Sequence, residues 1–305
     1  MDVVDGVDGV DKVDGVDTMD VKLEMLFALL REINVEAAEK SGGPGGVAVG
    51  YSGGVDSSFL LAAAVRALGR ENVLAITASS PSMPHGEKEA ALGLAKQLGV
   101  MCRVVTPGET EDPDYIANPP ERCYICKRII FRRISLMALE YGCHIVLDGD
   151  NADDASEHRP GRRAARELGV RSPLAEAGFT KAEIRAVSKE WGLPTADKPA
   201  LACLATRVPH GTRITPEMLG MIGRAEAALR VAGFAHCRVR HHGDVARIEV
   251  APGEIAKLAA DGTREKIAEG VRAAGYKHVA VDLEGYGKER RESRDGIVND
   301  AKIMV

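Results

Sequence analysis

The chain has 305 residues, 45% of them hydrophobic and only 4% aromatic, enough for about two domains with cores of Ala, Val, Leu and Ile. Its formal net charge of -5 gives no general attraction to nucleic acid or anionic membranes, so any anion site must be local. No apolar run reaches the roughly 18–20 residues of a membrane span, and the acidic start has no signal-peptide pattern; the expectation is a soluble cytoplasmic protein.

The opening MDVVDGVDGVDKVDGVDTMD repeats Val-Asp-Gly, cannot bury enough surface to offset its ordering, and predicts a disordered tail over 1–20. A calcium loop is not indicated, because the twelve-residue pattern ending in Glu is absent. From 21 an amphipathic helix follows, then a Gly-rich linker. The apolar runs GVAVGYS, NVLAITA, VMCRVVT and CHIVLDGD read as buried strands, separated by helical segments at 56–68, 86–98 and 122–141. That alternation predicts an α/β domain over 21–200, a parallel sheet with helices on both faces, whose ligands gather at the carboxyl ends of the strands. After about 200 the order changes to a helix, two short strands, more helix and a strand, HVAVDLEGY. This predicts a smaller α+β domain over 201–290, followed by a solvated, charged tail at 291–305.

The segment GYSGGVDSS, 50–58, joins the first strand to a helix. Backbone N–H groups at a helix N-terminus, close approach at Gly53 and Gly54, and the hydroxyls of Ser52, Ser57 and Ser58 make an anion site, with Asp56 able to hold a divalent metal. An ordinary helix cap needs one such side chain, and this loop has several. The patterns GxxxxGK[ST] and GxGxxG are absent. Ser-Gly-Gly-Val-Asp-Ser after the first strand resembles the PP-loop of the ATP pyrophosphatase superfamily, of adenine nucleotide alpha hydrolase-like fold. That resemblance implies cleavage of ATP to AMP and pyrophosphate with Mg2+, catalysis through Asp56, and ATP contacts from Ser52, Gly53, Gly54, Val55, Asp56, Ser57, Ala78 and Gly149.

Of six cysteines, Cys102, Cys143 and Cys237 lie in apolar surroundings and read as core. Cys123 and Cys126, in PERCYICKRIIF, are one helical turn apart, and Cys203 follows in KPALACLATRVPHGT. Three such thiols suit a [4Fe-4S] cluster with one open iron better than structural zinc, which prefers four protein ligands; two ordinary thiols on an amphipathic helix is the plainer alternative. These segments, with LDGDNADDASEHRPG, RVRHHGDVARIEV and VAVDLEGY, resemble the LarE family from about 22 to 290. Members are ATP-dependent sulfur transferases of nickel-pincer nucleotide biosynthesis.

The LarE resemblance implies that a pyridinium biscarboxylate mononucleotide is adenylated and converted to thiocarboxylates. In some members a single cysteine at the place of Cys203 gives up its own sulfur; others use three thiols, here Cys123, Cys126 and Cys203, to hold a cluster whose open iron carries sulfide. The CxxC pair puts this chain with the second group, and the sacrificial route through Cys203 stays open. Arg238 and Arg240, two apart on one strand face, suit a substrate phosphate, against the alternative of a solvated or salt-bridged face. Asp148, Asp150, Asp153, Asp154, Arg159 and Arg162 belong to a segment the resemblance makes a closing loop, with Asp154 and Arg159 on substrate. Arg207 is placed to steady a phosphate or adenylate, and Glu226 and Glu249 match acidic positions linked to metal or oligomer contacts. His241 and His242 point to opposite faces and do not share a metal. A homo-hexamer, a sulfide source and a downstream nickel-insertion enzyme are the implied partners.

Two other enzyme classes compete. A PP-loop tRNA thiolation enzyme also combines adenylation with three cysteines, but the net acidity and the lack of an RNA-binding segment oppose it. An amide-forming enzyme of the NAD synthetase kind needs no cysteines, and a non-catalytic ATP or redox sensor would bind nucleotide without releasing pyrophosphate.

Overall fold

In a computed structural model, residues 18–155, 160–199 and 202–285 are described. In chain order the elements are α1 (Thr18–Ser41), β1 (Val47–Gly50), α2 (Val55–Leu68), β2 (Val73–Ala78), α3 (Glu87–Gln97), β3 (Met101–Val105), α4 (Pro113–Ile116), α5 (Arg122–Glu140), β4 (Ile145–Leu147), α6 (Pro160–Glu167), α7 (Pro173–Glu176) and α8 (Lys181–Glu190). There follow α9 (Pro216–Val231), β5 (Cys237–His242), β6 (Val245–Val250), α10 (Ile255–Ala259), α11 (Thr263–Ala273) and β7 (His278–Val281). The chain divides into two units, the second taking 81–85 and 110–119 as well as the residues after 201. The tails expected at 1–20 and 291–305 fall outside the described residues except for 18–20, which already belong to α1.

The first unit holds a parallel sheet in the order β3-β2-β1-β4. β1, β2 and β4 are apolar and buried on both sides, as a sheet covered on both faces requires, whereas β3, expected as a buried strand, is an edge strand that exposes Met101 and Val104. Val47, Val49, Ala75, Ile145 and Leu147 join one core with Leu26 and Leu30 of α1 and Phe59 and Leu61 of α2. The intervening Ala48, Leu74, Ile76 and Val146 join another with Phe131 and Ile134 of α5. Side chains alternate along each strand, so the two sets face opposite layers. Thr180 and Glu183 form a capping box at the start of α8, which satisfies two otherwise orphaned N–H groups and fixes where Lys181 begins the helix.

In the second unit β5 pairs antiparallel with β6, and β6 parallel with β7. Leu229 of α9, Ile267 and Val271 of α11, and Val239, Ile248 and Val250 of the sheet form its core. Thr215 caps α9 ahead of Pro216, a residue suited to the first helical position. The buried Asn118 takes a left-handed φ of 56° and donates from Nδ2 to the carbonyls of Pro209 and Thr212 at 2.8 and 3.0 Å. That contact ties 110–119 into this unit. Among the described residues no helix is long and apolar enough to cross a membrane.

Candidate active site

Ser52, Gly53 and Gly54 form the turn between β1 and α2, and Val55, Asp56 and Ser57 form the first turn of the helix. Gly54 is the N-cap and offers no side-chain acceptor to the first-turn amides, a role left to an anion. The Ser52 N–H donates to Ser57 Oγ at 3.3 Å, and the two hydroxyls lie 3.0 Å apart. Gly53 has φ of 72°, and a Cβ there would sit 2.9 Å from the Ala91 Cβ of α3. Only glycine meets both demands.

Ala78 ends β2, the neighbour of β1, at the same edge of the sheet. Gly149 follows β4; a Cβ there would stand 2.8 Å from Ser57 N and 3.1 Å from the Asp56 carbonyl carbon. Those are backbone atoms of the anion-binding turn. Gly149→Ala is expected to push that turn aside and weaken ATP binding at least about tenfold, about 1.4 kcal/mol, as read by equilibrium titration with the nucleotide.

Asp56 carries two unlike oxygens. Oδ2 accepts from Lys181 Nζ at 2.6 Å, whereas Oδ1 is buried with no hydrogen-bond partner. Such an oxygen is costly unless a ligand satisfies it, and a carboxylate oxygen beside a phosphate-binding turn fits Mg2+, a hard cation that binds through one or two carboxylates plus substrate phosphates. A second ammonium, Lys198 Nζ, donates to the Gly53 carbonyl at 2.9 Å and pairs with Glu87 at 2.7 Å. Neither lysine was among the residues expected from the sequence. Lys181 lies 125 residues from Asp56, and no local pattern announces such a pairing.

At the carboxyl end of β4, Asp148 is buried and accepts from Ser172 Oγ at 2.7 Å. Burial first, and then the Asp150 charge, push its pKa up to about 6, against partial relief from Lys127 and hydrogen bonds. Because the folded value lies above the unfolded one, the native state holds the extra proton as pH rises from about 4 to 6, and the stability conferred at low pH is lost across that window. Asp148→Asn is expected to flatten that fall, by up to about 3 kcal/mol, in denaturant titrations at pH 4 and pH 7.

Arg162 donates to Asp150 at 3.1 Å and to the Asp154 carbonyl at 2.7 Å, and the Asp154 carboxylate accepts from Asn151 N–H at 3.1 Å. Asp153 accepts from the Lys181 N–H at 2.8 Å. Asp154 therefore shapes its own turn. Arg159 lies outside the described residues.

Cys123 and Cys126 lie in the first turn of α5, the former exposed and the latter half-buried. A Cβ on Gly161 of α6 would meet Lys127 Cγ at 2.9 Å and the Cys123 carbonyl at 3.7 Å, so these helix starts pack closely. Spacing and exposure fit two ligand positions of a cluster. Among the described residues, no three His, Cys, Asp or Glu side chains gather as a metal site.

Cys203 belongs to the second unit, half-buried at the head of the short turn Leu204–Arg207. Arg207 is buried against Glu226 of α9 at 2.8 Å, and Arg240 of β5 pairs with Glu249 of β6 at 3.0 Å. Arg238 and Arg240 share the half-buried face of β5, opposite buried Val239. Of the two histidines, His241 is buried against Tyr276 Oη at 3.1 Å, and His242 is exposed. Cys143 and Cys237 are buried, and Cys102 is half-buried against the first core. Burial raises all three thiol pKa values, Cys237 to about 12, with the Glu226 charge adding to burial there. Raised thiol pKa values of this kind suit packing rather than nucleophilic roles.

The NAD synthase family model matches residues 29–110, the stretch that contains the anion-binding turn. An uncharacterized protein of Synechocystis, slr1717, is 42% identical over 238 residues, 78% of this chain and 88% of its own. The pyridinium-3,5-bisthiocarboxylic acid mononucleotide synthase of Lactiplantibacillus plantarum is 34% identical over 254 residues, 83% of this chain and 89% of its own. The chain belongs to that synthase family, LarE. The likeness to NH(3)-dependent NAD(+) synthetases is local: that of Methanopyrus kandleri is 50% identical over 56 residues, 18% of this chain. This LarE protein is an ATP-dependent enzyme of the PP-loop kind, which uses ATP with Mg2+.

Proposed function

We propose that the protein adenylates the carboxylates of pyridinium-3,5-biscarboxylic acid mononucleotide in turn and converts them to thiocarboxylates. The observation that carries this reading is the likeness to the L. plantarum synthase along 83% of the chain, joined to a PP-loop whose Asp56 has an unsatisfied buried oxygen. A substrate carboxylate oxygen attacks the α-phosphorus of ATP, forming the acyl adenylate as pyrophosphate leaves. A sulfur nucleophile then attacks the acyl carbon, and AMP departs. Gly53, Gly54 and the first turn of α2 hold the departing pyrophosphate, Asp56 is the residue that would hold Mg2+ there, and Lys181 and Lys198 keep cations at both ends of the turn. Bound Mg2+ offsets charge on the phosphates.

For the sulfur we propose Cys123, Cys126 and Cys203 as ligands of a [4Fe-4S] cluster; three thiolates leave one iron open to exchangeable sulfide. The i,i+3 spacing of Cys123, which is exposed, and Cys126, which is half-buried, at the start of α5 supports this. In a second reading Cys203, half-buried at the head of its turn, gives up its own sulfur. Iron and sulfide analysis of protein purified without oxygen separates them. About four irons per chain, lost in Cys123→Ala, is the expected result; iron-free protein that still forms thiocarboxylate rejects the cluster and leaves Cys203 as the consumed donor.

The reading also carries a cytoplasmic location, a homo-hexamer, a sulfide source and a nickel-inserting enzyme downstream. A tRNA substrate is opposed by the net charge of -5. Amide formation of the NAD synthetase kind would survive replacement of Cys123, Cys126 and Cys203 together, whereas thiocarboxylate formation is expected to end.

A further inference from the structure

The turn that carries Cys203 is gripped from two sides by arginines, each backed by a buried glutamate. Arg207 Nη1 donates to the carbonyl oxygens of Ala202 at 2.8 Å and Cys203 at 3.1 Å, and to Thr206 Oγ1 at 2.9 Å. Its Nε and Nη2 meet the two Glu226 oxygens at 2.8 and 3.2 Å. Arg240 reaches the far end of the same turn: Nη1 donates to the Thr206 carbonyl at 2.8 Å while Nε donates to Glu249 Oε2 at 3.0 Å. The Leu204 N–H adds a bond to the Ser82 carbonyl at 2.7 Å.

Both glutamates are occupied from inside the unit. Glu226 is 0% exposed and also accepts from Arg230 Nη2 and the Val239 N–H, each at 3.2 Å. Glu249 is 1% exposed and also accepts from Arg247 Nη2 at 3.0 Å. Buried ion pairs are poor sources of net stability, since well-packed apolar residues of similar volume often do as well. What they supply is direction: a planar guanidinium held by a carboxylate, through both oxygens for Arg207 and through one for Arg240, has its remaining donors aimed at set points. Here those points are main-chain carbonyls at Ala202, Cys203 and Thr206.

We propose that Glu226 and Glu249 are positioning residues that act through Arg207 and Arg240 to hold the Cys203 main chain in the geometry needed for sulfur transfer. The inference rests on the reading that Cys203 takes part in that transfer, directly or as a cluster ligand. Neither carboxylate touches substrate. Each orients an arginine, and the arginines set the turn. Replacing a glutamate by glutamine keeps its volume and its hydrogen-bond reach but halves the acceptor capacity that locks the guanidinium.

The test compares full-length Glu226→Gln, Glu249→Gln and Cys203→Ala with the parent, using Mg-ATP, inorganic sulfide and pyridinium-3,5-biscarboxylic acid mononucleotide. Pyrophosphate and thiocarboxylate are measured side by side. The proposal predicts that each glutamine variant forms thiocarboxylate at least about tenfold more slowly, while the first-turnover burst of pyrophosphate and the mononucleotide concentration that half-saturates it stay within about twofold. Unchanged thiocarboxylate formation in both variants overturns it, and so does an equal fall of the first-turnover pyrophosphate burst, the mark of a general folding defect. Should Glu226→Gln not fold, Glu249→Gln, whose Arg240 partner is 20% exposed, decides by the same criteria. Thiocarboxylate formation by Cys203→Ala would instead defeat the underlying reading of Cys203, a result distinct from failure of the glutamine variants alone.

Discussion

Asp56→Ala is expected to lower pyrophosphate release by at least about a hundredfold, the scale set by removal of one preorganised electrostatic group from an active site. Asp56 sits in the first turn of α2, with one oxygen held by Lys181 at 2.6 Å and the other buried and unsatisfied. Truncation removes the oxygen available to a metal and frees Lys181, which is one-third exposed and is solvated without it. The fold therefore survives. Iron content is expected to stay at the parent level, because the thiols belong to α5 and to the Cys203 turn. Loss of iron together with pyrophosphate release would show that the two sets of residues do not have separate roles.

The second large effect is at Cys203. Cys203→Ala is expected to end thiocarboxylate formation in either sulfur route, since the thiol is a cluster ligand in one and the donor itself in the other. The routes part at Cys123: Cys123→Ala removes product under the cluster route and leaves a single turnover per protein molecule under the sacrificial one. Counting product per chain by mass spectrometry checks both. In the sacrificial case the spent parent chain also loses the mass of hydrogen sulfide at Cys203. Thiocarboxylate made at the parent's rate by Cys203→Ala would remove the residue from the mechanism.

The strands of the first unit were legible because a parallel sheet covered on both faces shows itself as short apolar runs between helical stretches. The PP-loop was equally legible, since everything it needs lies within nine consecutive residues. Long-range pairings were not. Lys181 and Lys198 reach the loop from the far side of the first unit's sequence, and nothing in their own neighbourhood marks them. Strand alternation placed Arg238 and Arg240 on one face, as found, but could not show that Arg240 is already engaged by Glu249 and by the Thr206 carbonyl.

Two boundaries moved for local reasons. Helix α1 starts at Thr18 rather than at 21, with Asp20 in its first turn, where an acidic side chain suits the helix dipole. The stretch expected as a closing loop turns into helix α6 from Pro160, a residue whose fixed φ suits a helix start. The small second sheet was anticipated in its order of elements. That 81–85 and 110–119 belong with it rests on contacts such as Asn118 with Pro209 and Thr212, which no periodicity encodes.

The central claim is that ATP cleavage by this chain drives replacement of carboxylate oxygen by sulfur on a pyridinium mononucleotide. Its most direct measurement is mass spectrometry of the nucleotide after incubation of anaerobically purified protein with Mg-ATP and pyridinium-3,5-biscarboxylic acid mononucleotide, with AMP and pyrophosphate counted in the same sample. The account predicts exchange of one oxygen for one sulfur at each carboxylate, with one AMP and one pyrophosphate formed per exchange. ATP cleavage with the carboxylates unchanged, or converted to amides when ammonia is added, would contradict it.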